Sequence, residues 1–146
     1  MAQNKGAKKF YSCLDTGVVD EVPQSAQHVL AAKMAEIAGG TVVFYTMEDV
    51  YTLKTQEVIQ SKLNEKPDVN GIIFYRVHQF FYAPEFSFNL MARIIKLGLE
   101  IHFARERISI RTLDELEADF SLLYAAQQIK ARPMNYFDSL VDSYKA

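Results

Sequence analysis

Short runs of consecutive apolar residues alternate along this chain with longer amphipathic segments, and this alternation limits the possible folds more than any other feature. The apolar runs occupy 9–14, 41–45, 71–75, 99–104 and, less clearly, 107–111. Segments with apolar residues at helical spacing occupy 24–38, 55–66, 84–97 and the stretch from Thr112 to Pro133. Strands that are apolar on both sides are typical of a parallel sheet covered by helices on both faces. We therefore predict an α/β fold with a mainly parallel sheet of four to five strands.

Several residues mark where the predicted helices end or begin. Gly39 and Gly98 follow two of the helical segments, and glycine readily adopts the left-handed conformation of a helix end. Thr112 and Glu115 have the spacing of a capping box, in which the hydroxyl accepts a free amide and the carboxylate reaches back. Pro133 is expected to break the last helix.

The length, composition and charge indicate one ordinary globular domain. With 146 residues, of which 49% are hydrophobic, the chain can bury about 70% of its unfolded surface. We expect a flexible leader over 1–8, a single domain over 9–133 and a C-terminal tail over 134–146. The formal net charge of −2 argues against a general nucleic-acid binder.

Cysteine usage and hydropathy indicate a cytoplasmic protein. The single Cys13 cannot form an internal disulfide. No apolar run reaches the roughly 18 residues of a membrane span, and the charged leader is not followed by the apolar core of a signal peptide. We expect neither a membrane nor a nucleic acid as a partner.

Several common catalytic and cofactor motifs are absent from the sequence. It contains neither of the phosphate-binding loops G-x-x-x-x-G-K-[ST] and G-x-G-x-x-G, and it has no G-x-S-x-G nucleophile motif. His28, His78 and His102 do not have the spacing of metal ligands. The sequence therefore predicts no metal site and no cofactor.

Polar residues follow the predicted strands at the edge where ligands bind in folds of this type, beyond the carboxyl ends of the strands. In chain order, these candidate site residues are Asp15, Thr16, Gln24, Glu48, Tyr75, Arg76, His78, Gln79, Arg105 and Glu106. Arginine forks bind phosphate and carboxylate groups, while amides and carboxylates bind hydroxyl groups. The set therefore favours a polyhydroxylated or phosphorylated ligand, with Gln24 and Gln79 as the amides that position it.

Catalysis at this edge would need a general acid or base. Glu106 and Glu48 are the best candidates, with His78 or His102 as the partner. The sequence leaves open whether the chain is an enzyme.

Structural roles are the alternative for some of these residues. His102 lies inside an apolar strand, where a histidine is more often a hydrogen-bonded core group than a catalyst. We expect solvation or pairing with Glu106 for Arg105, Arg107 and Arg111, in preference to a role in ligand binding.

Aromatic residues are numerous, with 10 Phe and 8 Tyr, and several of them lie between Phe80 and Phe88. This cluster could stack on a sugar ring, but it is more typical of a core or of a dimer contact. We predict a homo-oligomer, most simply a dimer.

The order of the elements resembles the catalytic domain of serine recombinases of the resolvase and invertase type. The family signature Y-A-R-V-S-T after the first strand corresponds to Tyr11-Ser-Cys-Leu-Asp-Thr16, which puts Cys13 at the arginine position and Asp15 at that of the nucleophilic serine. The segment after the third strand, Val77-His-Gln-Phe-Phe81, has neither the aspartate nor the arginine of the family. The resemblance implies a resolvase-like three-layer sandwich in a chain that does not cut DNA.

A second resemblance is to a sporadically distributed bacterial family encoded among carbohydrate-biosynthesis genes, the sporadic carbohydrate cluster proteins. The corresponding pieces of this chain are Val22-Pro-Gln24 with Gln27, then Glu48, Gly71-Ile-Ile-Phe-Tyr75 with Gln79, and Ile101-His-Phe-Ala-Arg-Glu106. The sequence departs from the family pattern at Arg76 and at Phe80-Phe81. The resemblance implies a setting in polysaccharide or sugar metabolism, without implying a reaction.

Together, the residues and the resemblances favour a cytoplasmic protein of a carbohydrate pathway that binds a sugar or a sugar nucleotide at the strand ends. The alternative is a non-catalytic partner or regulatory protein on a recombinase-like fold. A DNA-binding protein is the third possibility, and no basic extension after Pro133 supports it.

Overall fold

The computed structural model describes residues 7–18, 21–48, 56–65, 67–80 and 84–120. Its strands are β1 (Lys8–Leu14), β2 (Gly40–Met47), β3 (Gly71–Phe74), β4 (Glu100–Phe103) and β5 (Ile108–Ile110). Its helices are α1 (Gln24–Ile37), α2 (Glu57–Asn64), α3 (Pro84–Lys96) and α4, of which 113–120 are described. The tail predicted over 134–146 lies outside the described residues.

The strands form one sheet in the order β2-β1-β3-β4-β5. The neighbours among β1 to β4 pair in parallel, whereas β5 is antiparallel to β4. Only a tight turn joins β4 to β5, and a parallel pairing would need a crossover connection of a dozen or more residues. The prediction of an α/β fold with a mainly parallel sheet of four to five strands is confirmed.

Helices cover both faces of the sheet, as the unbroken apolar strands predict. On one face, α2, α3 and α4 pack through Ile59, Ile94 and Leu116 in the main hydrophobic core. On the other face, α1 packs through a smaller cluster that includes Met34 and Phe10. In β3, Ile72 and Phe74 accordingly pack in the main core and Ile73 in the smaller cluster, because successive side chains of a strand point to opposite faces. Because both faces of the sheet are covered by helices, most of the candidate site residues lie in the loops beyond the strand ends.

Local sequence signals agree with the observed element ends. Gly39 and Gly98 have φ values of +94° and +84° just after α1 and α3, as helix-ending glycines should. The Thr112 hydroxyl accepts the Glu115 N–H at 3.1 Å. The Glu115 carboxylate reaches back to the Arg111 N–H at 3.1 Å, one residue before the position that a strict capping box would give.

The first strand starts slightly earlier than predicted. Lys8, which we assigned to a flexible leader over 1–8, is the first residue of β1 and pairs with Gly40. Residues 1–6 lie outside the described part of the chain. No described helix is both long enough and apolar enough to cross a membrane.

Candidate functional site

Asp15 stands directly after β1 and is the most deeply buried carboxylate of the carboxyl edge, with a relative exposure of 0%. One of its oxygens accepts the Gly17 N–H at 2.8 Å, and the other accepts the Nε–H of Arg76. An unpaired buried carboxylate would cost several kcal/mol, so this ion pair makes the burial of Asp15 tolerable. The structure thus brings Asp15 and Arg76 together, and the two side chains form an ion pair with each other.

Gln27, rather than Gln24, is the amide that positions the loop after β1. Its Oε1 accepts the Asp15 N–H at 2.7 Å, and its Nε2 donates to the Asp15 carbonyl at 3.1 Å. A third bond runs from Nε2 to the Val22 carbonyl at 2.9 Å. Gln24 is exposed, and its Nε2 lies 3.7 Å from the Met47 sulfur.

A sequence signal for Gln27 existed. It lies four residues before Ala31 and seven before Met34, both of which α1 buries, so helical spacing places it on the inward face. A buried glutamine needs partners, and the backbone of Asp15, just past the end of β1, supplies two of the three.

Gln79 connects the ends of β1 and β3. Its Nε2 donates to the Cys13 carbonyl at 3.1 Å, and its Oε1 accepts the Arg76 N–H at 2.8 Å. The same Cys13 carbonyl also accepts the N–H of Tyr75, which is itself buried. Gln79 therefore fixes the backbone from which the Arg76 side chain extends. The side chain of His78 lies outside the described part of the structure.

Glu48 caps a helix that is remote from it in sequence. Its two carboxylate oxygens accept the N–H groups of Val58 and Ile59, each at 3.0 Å, in the first turn of α2. A carboxylate at this position satisfies free amides and interacts favourably with the helix dipole. Glu48 is only 1% exposed, and its backbone carbonyl accepts the Thr16 hydroxyl. The predicted acid or base of the second strand is therefore engaged in holding α2.

Glu106 is engaged in a similar way beyond β4. One carboxylate oxygen accepts the Val77 N–H at 3.1 Å. The other accepts two N–H groups of the Arg105 guanidinium, at 3.2 Å from Nε and 2.9 Å from Nη2. The pairing of Glu106 with an arginine, which the sequence offered as the structural alternative, is the observed one.

His102 does not join these residues, although the sequence proposed it as a partner of Glu106 or Glu48. Its Nε2 is 2.8 Å from Oε1 of Glu100 at the start of β4, and its Nδ1 is 2.7 Å from the Ser109 hydroxyl. The side chain is fully buried within β4, where its ring packs against Phe10. A strand places each side chain by its register, which chain order alone does not reveal.

The thiol of Cys13 is also unsuited to chemistry. Burial, followed by the charge of the nearby Glu48, raises its pKa to about 12. Within the described ranges, no three His, Cys, Asp or Glu side chains are grouped so that they could hold a metal ion.

Arg76 and Arg105 leave the ends of neighbouring strands with donor groups to spare. The ladder between β3 and β4 continues past the strands through bonds of 2.8 Å from Ala104 N–H to Phe74 and from Arg105 N–H to Tyr75. Among the described residues, Arg76 uses only Nε and Arg105 uses Nε and Nη2. Two guanidinium groups, each oriented by a carboxylate, form an arrangement that suits an anionic ligand.

A comparison with solved structures supports the fold. The crystal structure of the N-terminal catalytic domain of TP901-1 integrase matches with a TM-score of 0.59 and 14% sequence identity, covering 84% of this chain and 96% of that one. No family model matches the sequence, and no curated protein is significantly similar to it. The structural neighbour confirms the resolvase-like α/β fold that the sequence predicted, and at this identity it shows the fold alone.

Proposed function

We propose that this chain binds a phosphorylated sugar, such as a sugar nucleotide, at the carboxyl edge of its sheet and serves a carbohydrate biosynthetic pathway. The pair of arginines at the ends of β3 and β4 is the observation that supports this most. Guanidinium forks match the geometry of phosphate oxygens, and this edge is where ligands bind in open α/β sheets. The pathway itself rests on the resemblance to the carbohydrate cluster proteins.

The two arginines are already positioned for an anion. The Asp15 carboxylate and the Gln79 amide hold Arg76 at its side chain and at its backbone, respectively. Glu106 holds Arg105 through two of its N–H groups. A positioned side chain loses little conformational freedom on binding, so each remaining N–H contributes more of its hydrogen-bond energy to affinity.

The carboxylates at this edge favour binding over acid/base catalysis. Both oxygens of Glu48 accept N–H groups of α2, and those of Glu106 accept the Val77 N–H and the Arg105 guanidinium. A general acid or base must reach the reacting group of a substrate, and these carboxylates are engaged in holding the protein backbone and an arginine. We therefore propose a binding protein at this edge, with polar neighbours such as Thr16 and Gln24 available to sugar hydroxyls.

DNA cleavage of the recombinase kind does not fit this edge. Asp15, at the position that corresponds to the nucleophilic serine, is buried and paired with Arg76. The chain also lacks the basic excess that favours DNA binding. We expect no nicking and no nanomolar binding of duplex DNA at physiological salt.

Calorimetric titration with UDP-glucose, UDP, glucose 1-phosphate and glucose tests the proposal. We expect the phosphorylated compounds to bind and glucose alone to bind far more weakly. Because a hydrogen bond to a charged group contributes about 1.5–3 kcal/mol, Arg105→Gln should weaken binding by roughly 10- to 150-fold. Arg107→Gln is the matched control, since Arg107 is exposed in the turn after β4, and it should bind like the wild type.

Two results would contradict the proposal. One is the absence of binding by every phosphorylated compound at millimolar concentration. The other is equal affinity in the wild type and Arg105→Gln. Either result would leave the non-catalytic partner protein as the better interpretation of this recombinase-like fold.

A further inference from the structure

A hydroxyl, an imidazole and a carboxylate form a second cluster, on β4 and β5 themselves and separate from the arginine pair beyond the strand ends. Ser109 on β5 lies directly across from His102 on β4, and its hydroxyl is 2.7 Å from Nδ1. The other ring nitrogen, Nε2, is 2.8 Å from Oε1 of Glu100. The second oxygen of Glu100 binds Lys8 at 2.6 Å, and Arg111 lies 3.7 Å from the first.

The partners of the imidazole determine where its protons lie. A carboxylate can only accept, so Nε2 carries the hydrogen and donates it to Glu100. Nδ1 then has a free electron pair and accepts the hydroxyl hydrogen of Ser109. The edge of the Phe10 ring packs against His102 at a centroid distance of 5.3 Å, which further restricts the ring.

This arrangement is that of an activated nucleophile. A hydroxyl in hydrogen-bond reach of a base, whose orientation is set by a third group, defines such a site irrespective of fold. His102 is fully buried, whereas Ser109 is partly exposed. Burial lowers the pKa of His102 and outweighs the hydrogen bond that His102 donates to Glu100, so the imidazole is neutral at neutral pH and able to accept a proton.

We propose that Ser109 is a nucleophile that reacts with esters or thioesters, with His102 as its general base and Glu100 as a positioning residue. Lys8 and Arg111 give the surroundings a positive charge, which favours an acyl group that itself carries a negative charge. This site is independent of Arg76 and Arg105, so its failure would not affect the proposed ligand site, and the reverse also holds.

The proposed reaction is acyl transfer through a serine ester. The Ser109 oxygen attacks the carbonyl carbon while its proton passes to Nδ1 of His102. The tetrahedral intermediate expels the alkoxide or thiolate, which takes the proton from Nδ1 and leaves the acyl group on Ser109. Water then attacks this ester with the same base and releases the carboxylic acid and free Ser109.

A fluorophosphonate probe tests the nucleophile without knowledge of the substrate, because the serine oxygen displaces fluoride and forms a stable phosphonate ester. We expect peptide mass spectrometry to find the label on Ser109 of the folded wild-type protein. Ser109→Ala should abolish the label. The matched control Ser61→Ala, which removes an exposed hydroxyl on α2, should leave it unchanged.

The rate of labelling tests whether His102 acts as the general base. General-base catalysis contributes about 10²–10⁴-fold, so His102→Gln should slow labelling by at least about 100-fold. Glu100→Gln should slow it less. In the wild type, the labelling rate should rise with pH as the imidazole loses its proton, with Lys8, Glu100 and Arg111 as the charged groups that tune this transition.

Melting curves establish whether each variant is folded. The pH profile of the wild-type protein tests the general base even where a variant does not fold. A folded wild-type protein without label on Ser109 would overturn the proposal. Labelling at an equal rate in folded His102→Gln, or at a rate independent of pH, would do so as well. The cluster would then be a structural hydrogen-bond network between β4 and β5.

Discussion

At the scale of single residues, the buried carboxylates of the carboxyl edge each accept hydrogen bonds from specific donor groups. Asp15 accepts a backbone N–H and an arginine, and Glu48 accepts two backbone N–H groups. Buried charges are tolerated in proteins when they are paired and hydrogen-bonded in this way. These carboxylates therefore hold loops and a helix in place.

Glu106→Gln should lower the stability of the protein. The change removes the charge that binds Arg105 while one side-chain oxygen can still accept the Val77 N–H. Because the group is partly exposed, we expect a loss of about 1 kcal/mol, or about 2–4 °C in Tm. Melting curves check this, with the exposed Glu117→Gln on α4 as control. An unchanged or raised Tm together with lost ligand binding would instead assign Glu106 to the ligand site.

Cys13 should not react with thiol reagents in the folded protein. With a pKa of about 12, roughly one thiol in ten thousand is ionised near pH 8. Ellman's reagent should therefore react within minutes only after unfolding in guanidinium chloride. Rapid reaction of the native protein would show that the end of β1 opens far more readily than its buried position implies.

The sequence predicted which residues follow the strands, but not which partners they choose. Gln24 and Gln27 both lie near the strand end, and the helical spacing of Gln27 to Ala31 and Met34 marks it as the inward one, but the spacing does not show which backbone groups it binds. His102 was paired with the wrong glutamate because the contact to Glu100 depends on the pleat of β4. Such contacts are set by side-chain directions in the folded sheet.

At the scale of elements, the apolar periodicity predicted all the described strands and helices. The bounds differ by small amounts, as for α2, predicted over 55–66 and observed as Glu57–Asn64. Helix ends were predicted well where glycine marks them, since a positive φ is a property of the single residue. The start of α2 is predicted less well, because its cap comes from Glu48, which lies outside the helix and after β2.

Glu48→Gln should destabilise α2 and the core beneath it. A glutamine retains only one acceptor oxygen and brings an NH₂ group towards the amide donors of the helix. We expect a loss of roughly 1–3 kcal/mol in the free energy of unfolding, measured by urea denaturation. Glu57→Gln, an exposed change in the same first turn, should cost much less. Equal effects of the two changes would contradict the capping role.

At the scale of the whole molecule, β2 is an edge strand of the sheet and presents exposed apolar side chains. Val43 and Phe44 are 50% and 45% exposed on a strand that carries no charged residue. Apolar edge strands favour pairing with another chain. We expect a dimer by light scattering and a monomer for Phe44→Glu. A monomeric wild type at high micromolar concentration would contradict this expectation. Phe81 and Tyr82 of the aromatic cluster lie outside the described residues.

Stability should fall as the pH drops below neutrality. The pKa of His102 is lowered from its usual 6.5 by burial, so the unfolded chain binds a proton that the folded protein excludes. The free energy of unfolding then decreases below about pH 6.5, by at most about 1.4 kcal/mol per pH unit. Thermal melting across this range checks it, and His102→Gln should flatten the profile. A wild-type Tm that is constant between neutral pH and about pH 5 would contradict the prediction.

Protonation of Glu100 should cause a second loss of stability at lower pH. Burial alone would raise its pKa, but hydrogen bonds from Lys8 and His102 outweigh burial and hold the pKa below the usual 4.5. Its contribution to stability is present above that value and is lost as the pH falls through the lowered pKa.

The central claim, that the carboxyl edge binds a phosphorylated sugar, is tested most directly by a high-resolution crystal structure after soaking with UDP-glucose and related nucleotide sugars. We predict density for the phosphates against the guanidinium N–H groups of Arg76 and Arg105 that no described residue binds, with the sugar beside the loop after β1. The same soak of Arg105→Gln should show clearly weaker density at this edge. Ligand density elsewhere on the molecule, or none at this edge in the wild type at saturating concentration, would contradict the account.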